Sequence, residues 1–187
     1  MDLPRGDSKE RALRALVKVL GKEKVAYAII GGLAVQIYSK EPRTTLDIDI
    51  ALRNYDDIPR DALKAAGFTF EATHAHSQNW RAPGHGARKQ RTAIQFSADR
   101  LMGEAVTRAI DVRTREMRLK LATPSDLVRL KLEAIEEPKR RASKRQHDIA
   151  DVYRLLEDHP ELERAIPDAR ERIGKVVAAL VTKRPAR

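Results

Sequence analysis

The chain has 187 residues and no cysteine, so it forms no disulfide, builds no thiolate zinc site and offers no cysteine nucleophile. Lys and Arg number 37 against 27 Asp and Glu, a formal charge of +10, which favours a polyanionic partner such as RNA or DNA. A plain compositional bias toward Arg and Ala is the alternative source of that charge. No apolar run is long enough to span a bilayer, and the segment Met1-Asp2-Leu3-Pro4-Arg5-Gly6-Asp7 has no signal-peptide pattern. The expectation is a protein of a reducing cytoplasm with no membrane partner.

Residues 8–20 pattern as an amphipathic helix, with Leu13, Leu16, Val17 and Leu20 on one stripe, Ser8 at its start and Gly21 after its end. Val25 to Ile30 is an apolar strand, and Leu33 to Tyr38 a short helix. Leu46 to Leu52 is a second strand. Asp57 to Ala66 is a helix stopped by Gly67, and Phe68 to Thr73 alternates as a strand does. His74 to Arg91 is polar, with Pro83, Gly84 and Gly86, and patterns as a loop or irregular hairpin around Trp80. Thr92 to Phe96 is a strand, Leu101 to Ala109 a helix, and Ile110 to Arg113 and Met117 to Leu121 are strands joined at Arg115-Glu116. From Pro124 the chain turns helical, Pro suiting the first helical position. Further helices are expected at about 143–157 and 168–180, and the tail 183–187 is expected to fray. The αβαβ alternation followed by helices predicts an α/β (α+β) fold: a small mixed sheet flanked by helices, residues 1–123, with a C-terminal helical extension, 124–187.

One constellation stands out. Gly31-Gly32 closes the first strand; after fourteen residues comes Asp47-Ile48-Asp49. In a strand, residues i and i+2 share a face, so both carboxylates are expected to project together while Leu46, Ile48 and Ile50 face the core. Two adjacent negative charges on a mostly buried strand call for a cation. Mg²⁺ (or Mn²⁺) suits them, because it takes one or two carboxylates and leaves its other positions to water and substrate phosphates.

Gly-Gly followed by Asp-x-Asp after a short helix and second strand resembles the signature of nucleotidyltransferases of the DNA polymerase beta superfamily. Arg43-Thr44-Thr45, together with Pro124-Ser125-Asp126-Leu127 to Lys131-Leu132 and Arg145 to Asp148-Ile149-Ala150-Asp151, resembles the branch of AbiEii-type toxin nucleotidyltransferases. The resemblance covers roughly residues 20 to 157 and implies transfer of a nucleotidyl group from an NTP to an acceptor hydroxyl. The charge points to RNA or tRNA as acceptor, and the branch to a toxin with an antitoxin protein as partner. Gly31 and Gly32 would then let backbone N–H groups approach phosphate at a helix N-terminus. Arg43, Thr44 and Thr45 would reach phosphate oxygens, and Asp47 and Asp49 would hold the metal.

Members of the superfamily usually carry a third acid on a neighbouring strand. Here that place falls to Gln95, which offers a carbonyl oxygen and no charge and counts among the nucleotide-binding candidates; Asp111 is the fallback. In the toxin branch a lysine and an aspartate on the C-terminal helices complete the site, which by resemblance gives Lys131 to the triphosphate and makes Asp148 a metal ligand or base, with Asp151 a lesser candidate. On spacing alone, Lys131 snorkelling to solvent and Asp148 pairing with Lys144 remain open. The basic run Lys139-Arg140-Arg141-Ala142-Ser143-Lys144-Arg145 suits a triphosphate or nucleic-acid backbone, placing Arg145 among the nucleotide-binding candidates, or else is a solvated face. Trp80, with His74, His76 and His85 around it, could stack a base; the histidines lack metal-ligand spacing. The alternative to an enzyme is a catalytically weakened nucleotide- or nucleic-acid-binding module of the same fold.

Overall fold

A computed structural model of the chain describes residues 8–41, 44–84, 87, 90–114 and 117–182. Helix α1 (Ser8–Lys22) forms because Leu13, Leu16 and Leu20 recur on one stripe; all three are fully buried. It runs through Gly21 rather than stopping before it. The stop comes at Lys24, whose φ of 54° lets Val25 N–H return to Leu20 O at 2.9 Å. Strand β1 (Ala28–Ile30) then leads directly into helix α2 (Gly31–Tyr38). Strand β2 (Ile48–Leu52) begins two residues later than its composition suggests. Leu46 therefore lies outside the strand and is 79% exposed, not turned to the core. A 3-10 turn at Tyr55–Asp57 precedes helix α3 (Arg60–Ala65), which ends at Gly67 as expected.

Of the two alternatives for residues 74–91 the hairpin forms, and the correction concerns Trp80. Two strands pair here, β3 (Thr69–His74) and β4 (Ser77–Arg81), and Trp80 is 1% exposed in the core with its ring edge against Phe70. It is not available to stack a base. The strand buries Ser77, Gln78 and Trp80, and in sequence its one apolar residue stands among the polar Ser77, Gln78, Asn79 and Arg81. His85 lies outside the described residues, as do Arg43, the Arg115-Glu116 junction and the tail 183–187.

Strand β5 (Ala93–Ala98), helix α4 (Arg100–Thr107, capped by Asp99 accepting from Met102 N–H at 2.8 Å) and strands β6 (Ile110–Arg113) and β7 (Arg118–Leu121) complete the first half. The seven strands form one mixed sheet ordered β3-β4-β5-β2-β1-β7-β6. β2 runs parallel to β5 and antiparallel to β1. One face carries Ile29, Ile48, Ile50, Leu52, Ile94, Phe96 and Trp80, all buried, and supplies most of the driving force for the sheet.

The helices that follow are α5 (Pro124–Glu136), α6 (Ala142–Asp158), α7 (Leu162–Ala165) and α8 (Ala169–Thr182). The four-residue α7 is too short to show a period in sequence. The chain divides into two compact units: Met1–Ile37 with Arg43–Thr123, and Tyr38–Pro42 with Pro124–Arg187. In the second unit, residues 38–41 are bound to the end of α6. Lys40 N–H donates to Asp158 Oδ2 at 2.8 Å, and His159 Nε2 meets Tyr38 O at 3.1 Å. Burial pushes the Tyr38 phenol up to about 12.

Arg145 holds α5 and α6 together. It is buried, and its guanidinium donates to Ile135 O at 2.8 Å and Glu137 O at 2.6 Å, capping the last carbonyls of α5. Arg145→Met keeps the stem and removes both bonds. It should cost about 2 kcal/mol, from charge-assisted bonds to carbonyls left unpaired. Thermal melting would show this as a drop of roughly 4–8 °C; a change under about 1 °C would refute the capping role.

Candidate active site

The sheet register builds the candidate site of the first unit. Asp49 pairs with Ile30 on β1 and with Gln95 on β5, and Gln95 pairs in turn with Asn79 on β4. Residues in register share a face, so Asp49, Gln95 and Asn79 form a row across three strands, on the face opposite Ile50 and Phe96. All three are half-buried, between strand neighbours that are fully covered. Gln95 thus stands beside Asp49, where a third acid would be. Asp111 does not: it is on the edge strand β6, three strands from β2 in the order, and pairs with Lys120 at 3.6 Å.

Gly31 fixes the carboxylate. Its φ is +63°, and a β-carbon there would come within 2.8 Å of Asp49 Cγ and closer still to Oδ2. The Asp49 side chain therefore occupies the space that only glycine leaves vacant, against the turn that opens α2. Gly31→Ala would strain the backbone by about 1–2 kcal/mol and drive the carboxylate off the turn. The expected result is a lowered melting temperature together with loss of any NTP-dependent thermal shift. A variant that melts and binds as wild type would contradict this contact. Gly32, the second residue of α2, is buried.

Asp47 lies one residue ahead of β2, half-buried, and makes no ion pair among the described residues. Thr44 is exposed and Thr45 half-buried, and Thr45 O accepts from Lys9 Nζ at 2.8 Å. Among the described residues, no three His, Cys, Asp or Glu side chains gather as a metal-binding group. A half-buried carboxylate against the Gly31 turn, with a second acid two residues before it, has the oxygen chemistry that suits a hard divalent ion taking its remaining ligands from phosphate and water.

The second unit holds the other candidates. Lys131, on α5, is only 12% exposed; it does not snorkel. Its ammonium lies 2.7 Å from Asp148 Oδ1 and 2.7 Å from Asp151 Oδ2, both on α6. Arg140 donates to Asp148 Oδ2, at 2.9 Å from Nε, and Arg154 Nη1 lies 3.4 Å from Asp151 Oδ1. Asp148 therefore answers Lys131 and Arg140 rather than Lys144. Two members of the basic run, Arg140 and Arg145, are spent on internal bonds. The pairing of Asp151 with Lys131 was visible in the sequence only as the three-residue step from Asp148, which puts both acids on one helix face.

The fold is that of nucleotidyltransferases. Similar solved structures include an antigenic nucleotidyltransferase-like protein from Paracoccidioides brasiliensis (TM-score 0.60, 21% identity, covering 98% of this chain and 91% of that one). The aminoglycoside enzyme ANT(2")-Ia in complex with adenylyl-2"-tobramycin gives a TM-score of 0.59 at 14% identity, covering 89% of this chain and 99% of that one. The lincosamide antibiotic adenylyltransferase LnuA, lincomycin-bound, gives 0.53 at 11%, covering 78% and 97%. Among curated protein sequences nothing matches. The family described as "Nucleotidyl transferase AbiEii toxin, Type IV TA system" matches residues 11–186, and the chain belongs to it. It is accordingly an enzyme of the nucleotidyltransferase class, acting on an NTP. Among the described residues no helix is long and apolar enough to cross a membrane.

Proposed function

We propose that the protein transfers a nucleotidyl group from an NTP to a hydroxyl of RNA, with Mg²⁺, as the toxin of a toxin–antitoxin pair. The observation that carries this is the Asp49 carboxylate seated on the Gly31 turn, with Asp47 two residues before it. The glycine turn and the start of α2 hold the phosphates through backbone N–H groups and the helix dipole. Thr44, Thr45 and Arg43 are proposed to assist them. Asp47 and Asp49 are the residues that would hold Mg²⁺, which when bound neutralises charge on the transferring group and departing pyrophosphate. The acceptor hydroxyl gives up its proton to solvent as its oxygen bonds to the α-phosphorus, the bond from that phosphorus to the bridging oxygen breaks, and pyrophosphate leaves.

For Lys131 the proposed role is phosphate recognition. Its ammonium has three N–H donors, and two answer Asp148 and Asp151. Asp148 is proposed to act in the same reaction by holding Lys131. The charge of +10 supports RNA as acceptor, and the family supports an antitoxin as protein partner. The test is incubation with each labelled NTP, Mg²⁺ and total RNA, with and without a chelator. Chelator-sensitive label on RNA is expected; label on protein or small molecules alone would overturn the RNA reading.

A further inference from the structure

The row that contains Asp49 continues away from the glycine turn, and its continuation is chemically uniform. On one side of Asp49 lies β1 with Gly31; on the other lie Gln95 on β5 and Asn79 on β4. In phosphoryl and nucleotidyl transfer the attacking and leaving oxygens lie roughly in line, on opposite sides of the phosphorus. With the triphosphate on the Gly31 side, the incoming hydroxyl belongs on the side of Gln95 and Asn79.

Both side chains there are neutral amides. Ser77 Oγ–H donates to Asn79 Oδ1 at 3.2 Å, which orients the Asn79 NH₂ group away from Ser77. The Gln95 amide makes no side-chain hydrogen bond among the described residues. Beyond Asn79 on the same strand, Arg81 is held in a fork by Glu71, at 2.8 and 3.1 Å, and donates to Arg91 O at 3.2 Å. Its charge is matched before a ligand arrives. A surface built to track phosphates presents unmatched cations; this one presents amide donors and acceptors with a neutralised rim.

We propose that Asn79 and Gln95 recognise the acceptor's terminal ribose, holding the hydroxyl adjacent to the one that attacks. An amide N–H donates to that hydroxyl's oxygen, and Gln95 Oε1 accepts a hydrogen bond from the same hydroxyl. The amide at position 95, where a third acid would stand, thus serves acceptor choice. The inference rests on the nucleotidyl-transfer reading and specifies its acceptor side.

Two short RNAs of one sequence test it, one ending in ribose and one ending in a 2′-deoxynucleotide that keeps the attacking 3′ hydroxyl. Wild type should prefer the ribose end by about tenfold in kcat/KM, the scale of one lost hydrogen bond. Asn79→Ala and Gln95→Ala should each bring that ratio toward one and raise KM for the ribose-ended RNA; in Asn79→Ala, whose side chain lies one strand further from Asp49, the thermal shift given by NTP with Mg²⁺ stays as in wild type. That retained shift also shows the variant is folded. A ratio unchanged in both variants overturns the proposal, as does loss of the NTP shift in Asn79→Ala, which would assign its amide to the nucleotide. Wild type that shifts with NTP but labels neither RNA also overturns it and leaves the nucleotide site standing. Absence of any NTP shift in wild type is the separate result that removes the underlying reading.

Discussion

Asp49→Ala is expected to yield a folded protein that no longer transfers nucleotide, with label incorporation reduced by more than about 10³-fold, the scale seen when a preorganised charge at the reacting centre is removed. No neighbour substitutes for it. The in-register residue on β5 is the amide of Gln95, and Asp47 stands ahead of the strand. Stability should change little, within about 1 kcal/mol, because a half-buried acid is replaced by a residue that fits the strand. Asp49→Asn, which keeps the shape and removes the charge, should lose activity almost as completely. Either variant retaining a tenth of wild-type transfer would refute the assignment of this carboxylate.

Lys131→Met should have the largest effect on stability. The ammonium is enclosed by two carboxylates that are themselves 4% and 0% exposed, and removing it leaves both acids of α6 buried side by side with only the arginines to answer. Breaking a buried pair from one side costs about 3–5 kcal/mol, which for a chain of this size lowers the melting temperature by roughly 6–20 °C. Adding Asp151→Asn to the variant relieves one stranded charge and should recover about half of the loss, since much of it is the desolvated acid rather than the missing contact. Urea titration of the single and double variants measures both quantities. A loss below about 1 kcal/mol for Lys131→Met would mean that the cluster is solvated.

What the sequence disclosed, and what it withheld, follows from the range of the interactions. The Gly31 turn and the Asp47 and Asp49 spacing are local, so strand periodicity and glycine chemistry point to them directly. The place of Gln95 beside Asp49 is a cross-strand fact, reachable only with an assumed register; the sheet supplies that register through Ile48↔Ile94 and Ile50↔Phe96. Trp80 was hidden because it is the one apolar residue of β4, among Ser77, Gln78, Asn79 and Arg81, and a polar stretch followed by Pro83 and Gly84 resembles a loop. The cluster around Lys131 needed two helices packed in a particular rotation, which no single helix encodes. Arg145 stands in a run of cations, and nothing in that run marks which member turns inward to cap α5.

The fit of Asp49 over Gly31 also makes these two sites a lock and its key. Any bulk at 31 must be met by a smaller residue at 49, so no path of single changes reaches alanine at 31 while the acid is kept in place. The reverse order is open: with Asp49 shortened to alanine the void above the turn is wide, and that first change is the one expected to abolish transfer without disturbing the frame. On the proposed toxin reading, that one step leaves the rest of the surface intact, and the variant becomes a decoy for isolating the proposed protein partner.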